Sequence, residues 1–136
     1  MSDASKQLAG ILFVLIPTIE FGGWSLLRMI ARRIPGYLDN PVRQNLFRAG
    51  HAHAGVLVLL ALLIQPYADA TAQDGFVGWL SRSGVAVAAL VMPGGFFFSS
   101  MGAGRTAPNR LIVMVFAGAA LLAISLTSLA IGLLTA

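Results

Sequence analysis

The chain has 136 residues, 57% of them apolar and 10% charged, with a mean hydropathy of +0.83. Soluble domains carry about a quarter of their residues as Asp, Glu, Lys and Arg. Nine basic and five acidic residues are too few to cover a water-facing surface, and the hydrophobicity is too high for disorder, so a soluble enzyme and an unfolded chain are both excluded.

Four stretches reach the roughly 20 apolar residues that a helix needs to cross a bilayer. In chain order they are 8–29, 45–67, 77–100 and 111–134. Their continuous apolarity excludes the alternating segments of a transmembrane barrel. The expected fold is therefore all-α and integral to a membrane, a four-transmembrane-helix bundle with residues 1–136 as a single transmembrane domain. The first span has no convincing small-residue cleavage site and contains Pro17 and Glu20, so it is expected to be retained rather than removed as a signal peptide. In the loop that follows, Pro35-Gly36 and Asn40-Pro41 mark turns, with Pro41 placed near the start of a short interfacial helix.

Charge orients these spans. Seven of the nine basic residues (Arg28, Arg32, Arg33, Arg43, Arg48, Arg105 and Arg110) fall at the loops between spans one and two and between spans three and four. Basic loops stay cytoplasmic, so both termini are expected outside, in a bacterial inner or plasma membrane. The same rule accounts for the net charge of +4 without nucleic acid as a partner. There is no Cys, which excludes disulfides and thiolate ligands.

Helical rise places the informative residues in one layer. Glu20 lies roughly 13 Å from the Arg-rich end of span one, and His51 and His53 roughly 9 to 12 Å into span two. Pro93, Gly94 and Gly95 lie roughly 8 to 11 Å before the end of span three, and Gly118 about 10 Å into span four. A carboxylate at that depth costs a few kcal/mol, so Glu20 is expected to face the bundle and to pair with His51 or His53. The alternative is a protonated Glu20 bonded to a carbonyl freed by Pro17. The two histidines stand about 200° apart on a helix, so they cannot both ligate one small ion. One of them can face a planar cofactor, in space left by Gly55 and neighbouring alanines, while the other meets a helix. Interhelical hydrogen bonding by both is the structural alternative.

Downstream, Pro93 is expected to kink span three and release a carbonyl. Gly94 and Gly95 admit something close to the backbone, and Phe96, Phe97 and Phe98 wall either a flat apolar ligand or the lipid boundary. Ala119, Ala123 and Thr127 form a small-residue stripe suited to a neighbouring helix or a second protomer. Ser125 and Ser128 are expected to bond back to their own helix.

Arg48-Ala49-Gly50-His51, His53-Ala54-Gly55, Gly95-Phe96-Phe97 and Pro108-Asn109-Arg110, set on four spans, resemble the small membrane isomerases typified by styrene oxide isomerase. Hydroxylaminobenzene mutase is a more distant likeness. The resemblance covers nearly the whole chain and implies haem b held by one axial histidine, His51 or His53, in a homo-oligomer. Gly55, Gly94, Gly95 and Phe97 would line the cofactor and Asn109 would be catalytic; Glu20, which has no counterpart in the family, would be catalytic by orienting the other histidine or shuttling a proton. In that family ferric iron acts as a Lewis acid on an epoxide of a small apolar substrate; the ring opens, a hydride migrates and an aldehyde leaves. The chain departs from the pattern at Leu57 or Leu59, where the family has Asn, and at Phe97, where it has Tyr. The competing expectation is a cofactor-free accessory subunit docked on a partner membrane subunit. A third is a proton conduit built on Glu20 and a histidine.

Overall fold

In the computed structural model, which describes every residue except Ala103, the elements are α1 (Asp3–Ala31), α2 (Pro41–Leu63), a short α3 (Gln65–Asp69), α4 (Gly75–Ser99) and α5 (Val113–Leu134). A single 3₁₀ turn, Arg110–Ile112, leads into α5. No strand occurs among the described residues. Four helical stretches are long and apolar enough to cross a membrane, so the chain is an all-α, four-helix membrane-spanning bundle.

Local chemistry sets the helix ends. Ser2 caps α1 by accepting from the Ser5 backbone N–H at 3.2 Å. The far end of α1 closes in a Schellman arrangement. Arg33 N–H donates to Ile30 C=O and Ile34 N–H to Met29 C=O, with Arg33 itself left-handed at φ 48°. Asn40 caps α2 by accepting from Arg43 N–H at 3.0 Å, and Pro41 occupies the first helical turn. Pro41 thus begins the spanning helix itself instead of a separate interfacial one. Pro17 and Pro93 lie inside continuous helices, so neither ends its span.

Packing is unequal among the helices. α4 is the central element, with α2 on one side and α5 on the other, while α1 packs chiefly on α2 and makes no contact with α5. Ten α4 residues are buried but only Ser5 and Leu12 of α1. The α4–α5 seam is made by small residues. A Cβ on Gly118 would come within 2.8 Å of Met92 Cβ and 2.9 Å of its backbone N, and one on Gly95 within 2.6 Å of Val115 N. Backbones this close are how membrane helices gain contact where lipid is as apolar as they are.

Ala119, Ala123 and Thr127 face outward; Gly118, Ser125, Leu129 and Gly132 make the seam instead. Ser125 bonds back to Leu121 C=O at 2.7 Å, as expected. Ser128 does otherwise: its hydroxyl lies 2.8 Å from that of Ser81, and its carbonyl accepts from Gln73 Nε2 at 2.8 Å.

At the end of the bundle opposite the Arg-rich loops, Asp69 gathers four donors. It accepts from Ser2 N–H and Ser2 Oγ, both at 2.7 Å, from Ser5 Oγ at 2.8 Å and from Arg82 Nη2 at 3.1 Å. Arg82 Nε also donates to Ser5 Oγ at 3.1 Å. One carboxylate thereby joins the start of α1, α3 and α4.

Candidate functional site

The middle layer does bring the expected residues to one level. α1 and α2 run antiparallel, and the modest bulk of Gly22 and Gly23 lets them lie against the His51 ring. A Cβ on Gly23 would stand 3.0 Å from His51 Nε2, and one on Gly22 would stand 3.6 Å from Nδ1. Equal rise on the two helices then sets Glu20 level with His53. On the other side of α2, the His53 ring packs on Phe96 with centroids 4.9 Å apart.

The two imidazoles meet different surroundings, as their angular separation requires. His51 is half-buried in the α1–α2 seam and borders a void of about 170 Å³ shared with Leu26, Met29, Phe47 and Phe97. His53 is exposed on the flank of α2. Its Nδ1 lies 2.7 Å from Ala49 C=O, one turn back. A carbonyl can only accept, so the neutral ring carries its proton on Nδ1 and leaves Nε2 as a bare lone pair facing outward. That arrangement is how proteins orient a metal-ligating histidine. Ala52 and Val56, which flank it on α2, are exposed, whereas Gly55, open where a side chain would be, lies about 200° round the helix on the His51 side.

The remaining residues divide between this face and structural contacts. Glu20 is exposed on the outer side of α1 and, among the described residues, makes no hydrogen bond or ion pair. Within one chain, then, the carboxylate and the imidazoles share a level but not a pocket. The close approach that Gly95 permits is made by α5, leaving no room there for another group, and Gly94 sits 3.5 Å from Met114 Cε by the same measure. Phe97 packs edge-on against Phe47, centroids 5.5 Å apart, on the His51 side of α2. Asn109 closes the end of α4: its side chain accepts from Leu111 N–H and donates to Phe98 C=O, both at 2.8 Å. Leu57 is buried and Leu59 faces outward; neither carries a polar atom to a substrate.

Sequence reasoning missed the Nδ1 anchor of His53, although Ala49 at i−4 is a signal that could have found it. It also missed the role of Asp69, whose partners are separated from it by up to 67 positions. Among the described residues no group of three or more His, Cys, Asp or Glu converges. A metal held at His53 would thus draw its other ligands from a cofactor or another chain. No family model, curated protein or solved structure matches this chain.

Proposed function

We propose that this protein binds haem b through His53, on a lateral membrane face completed by another copy of the chain. The observation that carries the reading is the 2.7 Å bond from His53 Nδ1–H to Ala49 C=O, which leaves an exposed Nε2 free to coordinate. The donor set fits the group. A porphyrin supplies four nitrogens, so one histidine suffices, and the small, exposed Ala52 leaves the flank beside His53 open to a flat ring. His51, walled by Gly22 and Gly23, is read as a packing residue rather than the ligand.

When bound, haem would supply a Lewis-acidic iron able to polarise an oxygen donor. Within that frame the chain's own residues fix the imidazole tautomer through Ala49, brace the ring with Phe96 and exclude water with apolar flanks. Isomerase-like acid chemistry on a small apolar substrate is the activity we attach to this face. Copies of the chain would also cover Glu20, which otherwise stands bare at mid-span.

The test is the visible spectrum of the purified protein after haem supplementation. We expect a Soret band that His53→Ala abolishes and His51→Ala retains. No Soret band in the parent protein, or full haem retention in His53→Ala, overturns the proposal.

A second reading rests on the open groove of about 460 Å³ bordered by Val77, Ala123, Ile124 and Thr127, which suits a helix of a partner subunit. A stoichiometric second protein retained through mild-detergent purification, without haem, would favour it.

A further inference from the structure

We propose that the Arg-rich end of the bundle holds a binding site for an apolar monocarboxylate, distinct from the His53 face. Its anionic head would lie against Arg43 and Tyr37, and its hydrocarbon in the void beside His51. Two cavities carry this. One, of about 280 Å³, lies between the loop after α1 and the end of α4 and is bordered by Met29, Tyr37, Arg43, Phe47 and Met101. The other is the 170 Å³ void beside His51, which shares Met29 and Phe47 as walls. Met29 and Phe47 thus border both a polar mouth and a half-open apolar hollow.

The mouth has unspent polar capacity. Arg43 donates to Gly36 C=O and Gly102 C=O, both at 2.8 Å, which holds the guanidinium in place. Two of its five donors are used, and it makes no ion pair among the described residues. Tyr37 is 1% exposed, and among the described residues its hydroxyl has no hydrogen-bond partner. A buried O–H without an acceptor is costly in a finished structure, and a carboxylate is the acceptor that would satisfy both groups. One guanidinium balances a single negative charge, which favours a monocarboxylate.

The interior fixes the rest of the ligand. Cavities near 150 Å³ accept a benzene-sized molecule, so the void beside His51 has room for one ring. Arg43 and His51 are eight residues apart on α2, about 12 Å along its axis. An aryl ring on a short alkyl stem spans that separation.

The experiment is calorimetric titration of the full chain in lipid nanodiscs with 5-phenylpentanoate and with 5-phenylpentan-1-ol, which lacks the charge. We expect saturable binding of one carboxylate per chain, about tenfold tighter than the alcohol. Arg43→Gln should remove that preference. Tyr37→Phe should weaken the carboxylate about threefold without lowering the melting temperature, since the hydroxyl bonds nothing among the described residues. Ser25→Leu, which fills the void, should weaken both compounds. Equal affinity for acid and alcohol, no saturable binding at millimolar concentration, or an unchanged preference in Arg43→Gln each overturns the proposal. Should Arg43→Gln fail to fold, the acid–alcohol comparison on the parent chain and on Tyr37→Phe decides it.

Discussion

His51 and His53 are separated by one residue, and helical geometry turns that separation into two environments. One ring is clasped by α1 glycines; the other is tethered to its own helix and looks outward. The tether matters because a free imidazole exchanges its proton between nitrogens, whereas a backbone carbonyl permits N–H on one side alone. Asp69 shows the same logic with charge. Its four donors come from residues at 2, 5 and 82, and removing the carboxylate strands the Arg82 guanidinium. Asp69→Ala is therefore expected to destabilise the fold by about 1–3 kcal/mol, read as a lower melting temperature in detergent. Asp69→Asn, which keeps an acceptor, should recover part of that loss. Depth along the helix singled out the two histidines in the sequence but not Asp69, because hydrogen bonds across the bundle depend on helix rotation.

At the scale of elements, each span was readable because about 20 apolar residues have no stable alternative to a helix in lipid. Which helix touches which was less readable. The stripe Ala119, Ala123, Thr127 and the set Gly118, Ser125, Gly132 are both rows of small residues, set about 100° or more apart round the helix, and α4 meets the second. The decisive difference is the absence of any Cβ at Gly118, where Met92 main-chain atoms approach. Gly118→Leu is expected to cost about 1–3 kcal/mol by overpacking. Ala119→Leu, one residue on and exposed, should leave the melting temperature of the detergent-solubilised protein unchanged. A comparable drop for both would show that the α4–α5 seam does not depend on Gly118 in particular.

The whole molecule is lopsided. α4 is enclosed by its neighbours, whereas the most apolar windows of α1 and α5 are only 6% and 11% buried. On the outer side of α1, Glu20 stands without a partner among the described residues at the level of His53, a placement that costs a few kcal/mol against lipid. Assembly with further copies of the chain, as proposed above, relieves it. Glu20→Leu is then expected to shift the particle toward smaller assemblies in native mass spectrometry from mild detergent. An unchanged distribution would mean that Glu20 lies outside any contact between copies.

The amino-acid order by itself determined that this protein is a set of four membrane helices, and that an acid, two histidines and several glycines share one layer. Both follow from quantities local to the chain: apolar length and rise per residue. Rotation of each helix about its axis was decided by tertiary packing, in particular by backbone approach at Gly22, Gly23, Gly95 and Gly118. Side chains of equal depth were thereby sent to different destinations, Glu20 and His53 to the outer surface and His51 to an inner seam. Depth is a sum along one helix, but direction is settled between helices.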